Sequence, residues 1–185
     1  MTHSTLLPAA PSPEPREGTV RRTGAAGLAA ALAAASSRWS HLVEYRTGSR
    51  WTHLLPATTA ADLVDPSLHP ELGEAQVWLL SWLPDQGTPL HDHGTSAGAF
   101  AVVEGTLHER VVVAARDGVR EAGEELTPGR IRHFGRHHVH QVTNPGPVPA
   151  VSVHVYTPGL SWMNRYEVTG GALRRTGTER AGVDW

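Results

Sequence analysis

His91-Asp92-His93 sets two imidazoles one residue apart, and far along the chain come His140 and then Ser152-Val153-His154-Val155-Tyr156. In an extended segment, residues two apart point to the same face. His91 and His93 then project into one space while Asp92 faces away. A third imidazole from a distant strand would close a three-nitrogen face on a metal ion and leave its other positions open to substrate and oxygen. A structural site fills those positions with protein ligands, so the pattern predicts a catalytic centre. Three neutral nitrogens leave the ion its full charge, which suits a substrate thiolate together with reduced oxygen. Iron(II) is the oxygen-activating choice, and zinc fits the same ligands. The plainer alternative is a pair of hydrogen-bonded surface histidines.

Composition removes whole classes of chemistry. The chain of 185 residues has no lysine, its 16 basic residues being all arginine, and no cysteine. Schiff-base lysines, Walker-type phosphate loops, thiol nucleophiles, iron–sulfur clusters, cysteine zinc sites and disulfides are therefore excluded. A formal net charge of −2 gives no electrostatic case for nucleic acid. No run approaches the ~20 apolar residues of a membrane span. We expect a cytoplasmic monomer. Arg21-Arg22 followed by Ala, Gly and Leu resembles a twin-arginine export signal, but the run behind it is only weakly apolar.

These candidate residues need a scaffold to hold them. Residues 1–23, rich in Pro, Ser and Thr, are expected to be a disordered tail. Residues 24–45 begin with an alanine-rich stretch carrying Leu28 and Leu32 four apart, which favours a helix. From Ala75 the texture changes to short β-type runs: 76–83, 99–103, 107–114, 130–134, 138–143 and 150–157, with a hairpin signal at Arg116-Asp117-Gly118-Val119. Short, evenly spaced strands predict an all-β sandwich or barrel. Residues 46–165 are the expected catalytic barrel, and 166–185 the expected C-terminal tail packed on its outside.

The spacing resembles the cupin fold, a double-stranded β-helix or jelly-roll barrel. Its first motif, His-x-His, then Glu, then Gly after six intervening residues, matches His91, His93 and Gly105, with Gly98 where Glu would stand. Its second motif matches Gly129, Gly135 and His137 at the Gly, Pro and Gly positions, then His140 and Asn144. His137 and His138 compete with His140 as the third ligand, and His140 keeps the motif's gap to Asn144. The usual carboxylate ligand is missing.

Within that fold, Pro89-Leu90-His91-Asp92-His93-Gly94, the turn Val103-Glu104-Gly105-Thr106-Leu107 and the stretch from Pro149 to Pro158 resemble cysteine dioxygenase of the bacterial type, over about residues 45–165. The resemblance implies one Fe(2+) per chain on His91, His93 and His140, with a small thiol and O2 as the only partners. Two oxygens would add to sulfur, giving cysteine sulfinic acid. It also implies a catalytic chain of Ser152, His154 and Tyr156, in which His154 holds the tyrosine hydroxyl near the open positions and Ser152 fixes the imidazole tautomer. Two departures stand out. Animal members carry a cysteine crosslinked to that tyrosine, and its place here is Gly98. Members also clamp the substrate carboxylate with an arginine; here His53 falls at that point and Arg50 lies three residues before it. Arg50 and His53 are both candidate substrate-binding residues. The alternatives are a dioxygenase for 3-mercaptopropionate or another small thiol, a non-catalytic metal-binding cupin, and a zinc or nickel cupin working without oxygen.

Overall fold

The computed structural model describes residues 24–182; the expected tail at 1–23 lies outside them. The alanine-rich stretch forms helix α1 (Gly24–Ala34), whose Leu28, Ala29 and Leu32 are fully buried. The buried indole of Trp39 donates to the Leu32 carbonyl at 2.8 Å, satisfying one of the acceptors left open at the helix end. After β1 (Trp51–Leu55) come two short helices, α2 (Ala57–Leu63) and α3 (His69–Leu72). No helix among the described residues is long and apolar enough to cross a membrane.

The remaining strands are β2 (Gln76–Trp82), β3 (Leu90–His91), β4 (Ala97–Glu104), β5 (Leu107–Ala115), β6 (Gly118–Leu126), β7 (Ile131–Phe134), β8 (His140–Thr143), β9 (Ala150–Thr157), β10 (Trp162–Thr169) and β11 (Ala172–Arg180). They build two antiparallel sheets, in the orders β1-β2-β9-β4-β7 and β11-β10-β3-β8-β5-β6. This is the double-stranded β-helix expected from the sequence. The central strands of the first sheet are buried on both faces. Val151, Val153 and Val155 of β9 join Val77, Leu79 and the leucines of α1 in an outer core. Tyr156 joins Trp78, Leu80, Trp82, Phe100 and Phe134 in an inner one between the sheets.

The segment expected as a tail from residue 166 departs from that reading. With residues 162–165 before it and as far as Arg180, it forms a hairpin that is part of the second sheet, with β10 paired to β3 and β11 on the edge. Gly170 and Gly171 both take positive φ, +60° and +74°, which a tight hairpin turn requires and glycine allows at no steric cost. Met163 is buried on β10, Tyr166, Val168 and Leu173 pack half-buried against Leu90, Val112 and Val139, and Trp162 and Arg165 stay exposed.

Candidate metal centre

His91 ends β3 and pairs directly with His140 at the start of β8. His93 lies two residues on, so both histidines of the motif face the interior, and all three are buried. One nitrogen from each lies within 4.8 Å of the others, and the Nε2 atoms of His93 and His140 are 3.3 Å apart. The back of each ring differs. His91 Nδ1 donates to the Pro89 carbonyl at 2.9 Å, and His140 Nδ1 donates to Glu109 Oε1 at 2.6 Å. His93 Nδ1 is buried with no hydrogen-bond partner among the described residues. Burial holds the His91 and His93 imidazoles well below the usual histidine range, and it lowers His140 as well against the pull of Glu109. Neutral rings whose Nδ1 protons point backward present Nε2 lone pairs forward. Three such nitrogens gathered at one place are a donor set that fits a divalent cation, and the 3.3 Å between the Nε2 atoms of His93 and His140 suits metal–nitrogen bonds of about 2.0–2.1 Å.

His137 is exposed, and His138 turns its Nε2 to Glu109 at 3.0 Å, away from the three-histidine face. Asp92 faces the other way, as the alternation predicts. Its carboxylate accepts from Tyr166 Oη at 2.7 Å, Asn164 Nδ2 at 2.9 Å and the Gly94 amide at 2.9 Å.

Opposite the histidines, β9 sends in Ser152, His154 and Tyr156 from one face. Trp82 Nε1, which can only donate, bonds Ser152 Oγ at 2.9 Å, and Ser152 Oγ lies 2.9 Å from His154 Nε2. The serine hydroxyl hydrogen is then available to His154 Nε2, which leaves an N–H at Nδ1 facing the Tyr156 hydroxyl at 3.4 Å. Burial brings His154 down to about 3, so the ring is neutral. Burial raises the Tyr156 phenol, with Arg50 pulling modestly the other way, so the hydroxyl keeps its proton. Phe100 stacks on His154 at 4.8 Å and fixes its plane.

Arg50 and His53 separate. Arg50 lines the same small cavity as His91, His140, His154 and Tyr156, its guanidinium carbon 5.8 Å from the centre of the Trp82 ring. Leu80, Val142 and Met163 make the apolar wall. His53 stacks flat on Trp51 at 5.5 Å, on the face of β1 that turns to the outer core, and does not line the cavity. Its odd-numbered position shares Trp51's side of the strand. A larger groove, about 540 Å³, runs between the start of α1 and Phe134, whose ring stacks on His93 at 4.3 Å.

Glu109, Trp82 and Phe134 escaped the sequence reading. Glu109 and Trp82 come from strands remote from the motifs, and Phe134 lies within the second motif at a position that the motif leaves unspecified. A lone glutamate inside the otherwise valine-rich β5 was the one available signal.

Gly98, where a carboxylate ligand or a crosslinking thiol would stand, pairs with Tyr156 on one side and Phe134 on the other. A Cβ there would fall 2.2 Å from the Val155 carbonyl oxygen and 2.8 Å from Phe134 Cζ. No side chain fits.

Among solved structures, the chain is similar to a recombinant oxalate oxidase in complex with glycolate. The two share 14% identity with a TM-score of 0.48, over 61% of this chain and 53% of that one. An uncharacterized conserved protein with a double-stranded β-helix domain from Klebsiella pneumoniae matches at 17% identity and a TM-score of 0.46, over 75% of this chain and 93% of that one. The chain thus spans about half the length of the oxalate oxidase, 53%. The family model described as cysteine dioxygenase type I matches residues 51–169, from β1 through β10, and so takes in all three histidines and the Ser152–Tyr156 strand. By that match the chain belongs to the cysteine dioxygenase type I family.

Proposed function

We propose that this protein is a mononuclear iron dioxygenase that converts L-cysteine, or a similar small thiol, and O2 to the sulfinic acid. The observation that carries this reading is one cavity lined by His91 and His140 of the three-histidine cluster, by His154 and Tyr156 of the Ser152–His154–Tyr156 chain, and by Arg50. The reaction balances as R–SH + O2 → R–SO2H, with sulfur oxidised by four electrons and both oxygen atoms retained. His91, His93 and His140 would hold iron(II), which would supply the redox chemistry that lets a thiolate react with dioxygen.

The chain's own residues bind, orient and protonate. Arg50 offers a fixed fork of donors to the substrate carboxylate, and its stacking against Trp82 limits where that fork can point. Tyr156 holds a proton at its hydroxyl beside the reacting atoms, oriented through His154 and Ser152. Leu80, Val142 and Met163 exclude water. The free space is about 20 Å³, room for a single water. Only a short thiol is admitted, and the lining must yield to it. Met163, unbranched and adaptable, is the side chain suited to move.

The lining contains an arginine and no carboxylate. It therefore supplies an opposite charge for a substrate anion and none for an ammonium group, which favours 3-mercaptopropionate as a second reading. Metal analysis of protein purified without oxygen, followed by oxygen uptake with cysteine, 3-mercaptopropionate and cysteamine, tests both. Thiol-dependent uptake with one sulfinate per O2 is expected. Bound zinc with no uptake from any thiol would overturn the dioxygenase reading.

A further inference from the structure

Glu109 stands on β5 behind the imidazole of His140, diagonal to it across the β5–β8 pairing (Glu109 opposite Val142, Val111 opposite His140). Its side chain is fully buried. Oε1 accepts from His140 Nδ1 at 2.6 Å and from His138 Nε2 at 3.0 Å, and Oε2 pairs with Arg132 Nε at 2.5 Å. Two imidazole N–H groups and a guanidinium converge on its two oxygens, and only donors face them, the surroundings of a carboxylate anion.

Desolvating a carboxylate costs several kcal/mol, and a well-packed apolar group of similar volume is often as good for stability or better. Packing therefore does not account for a charged group at this place. Its aim does. His91's back nitrogen meets a neutral carbonyl and His93's meets no partner among the described residues, whereas His140's meets a charged oxygen at a short distance. A carboxylate hydrogen-bonded to the back of a ligating imidazole fixes the tautomer and ring plane and makes the front nitrogen a stronger donor. At Gly98, where a carboxylate ligand would otherwise stand, no side chain fits.

We propose that Glu109 is a positioning residue that sets His140 as a ligand and supplies, from behind the ring, the negative charge the three histidines lack. This rests on reading His91, His93 and His140 as metal ligands. Arg132 and His138 hold Glu109 in turn, and Arg132 also reaches Glu124 at 3.4 Å.

The test uses the full chain, stripped of metal and titrated with cobalt(II) against a competing chelator, with the visible cobalt bands and apo-protein melting read in parallel. Glu109→Gln keeps the shape but not the charge, and is expected to weaken cobalt binding about 10–100-fold and to shift the bands. Arg132→Gln, which leaves the carboxylate behind His140, should stay within a few-fold of wild type. The double variant Glu109→Gln/Arg132→Gln removes the ion pair as a neutral unit. It should bind as weakly as Glu109→Gln, and it carries the comparison if that single variant does not fold. Wild-type affinity and bands in Glu109→Gln, or recovery of affinity in the double variant, would overturn the proposal and leave the metal reading standing. Failure of the wild type to bind cobalt would remove both.

Discussion

Tyr156 is held by packing and hydrogen bonds, with no covalent tether. Its flank is filled by Phe134, 5.8 Å away between ring centres, because Gly98 leaves that space to the phenylalanine. On its other side His154 orients the hydroxyl. If the hydroxyl assists a step after binding, Tyr156→Phe should lower kcat by about 10²-fold or more, the usual worth of a positioned proton donor, with KM for the thiol little changed. A rise in KM at intact kcat would mean uniform binding and count against the role. Arg50 carries a second expectation. Losing a charge-assisted bond of about 1.5–3 kcal/mol should cost Arg50→Ala about 10–100-fold in its preference for cysteine over cysteamine. His53→Ala, outside the cavity, should leave that preference unchanged, and the reverse outcome would move the clamp to His53. The histidines and the Ser152–Tyr156 chain were legible because alternation along a strand puts them on one face. The choice between Arg50 and His53 was not, because the register of β1 against β2 is absent from spacing alone. With that register, His53 shares a side with Trp51, and Arg50 turns inward.

At the level of elements, the site depends on how the irregular segment after β3 is fastened. Asp92, between two candidate ligands, is tied to β10 through Asn164 and Tyr166. The hairpin that looked like a tail in the sequence is therefore part of the scaffold of the centre. Only the Gly170-Gly171 turn could have announced it, since β10 and β11 are mostly exposed and polar. The helix was easier, because alanine and the Leu28–Leu32 spacing agree with each other. The Tyr166–Asp92 bond has a pH signature. Burial, then the hydrogen bond to Asp92 and its charge, push the Tyr166 phenol up to about 12. A group raised on folding stabilises fully below its unfolded value, about 10 for tyrosine, and the contribution is lost as pH rises through the folded value. Denaturant unfolding at pH 9 and pH 11.5 should show wild type losing more stability across that window than Tyr166→Phe. Equal losses would mean that the bond contributes nothing to this linkage. Tyr166 is only partly buried, so the difference should be small.

Across the whole molecule, the first sheet separates two cores that do different work. Along β9 the valines at 151, 153 and 155 face the helical layer, while Ser152, His154 and Tyr156 face the cavity. The alternation was visible in the sequence. Which set faced the chemistry followed from the residue types, but the cover on the valine side did not, because α2, α3 and β1 lack any strong periodic signal. One sheet thick is enough to insulate the site from the cover. Leu32 is fully buried in α1 against this outer core. Leu32→Ala removes apolar contact and leaves space that the rigid sheet cannot fully close, so it should cost about 2–5 kcal/mol of stability. The metal site lies beyond β9 and β4, whose inward side chains are fixed by their own contacts, such as Phe100 on His154 and Trp82 on Ser152. Metal stoichiometry, kcat and KM of the folded variant should therefore match wild type at a temperature well below its lowered Tm. Measuring Tm, bound metal and turnover on one preparation makes the comparison. A stability loss of the expected size together with a tenfold fall in kcat of the folded fraction would show that the helical layer sets the geometry of the centre through β9, and that the two cores are not independent.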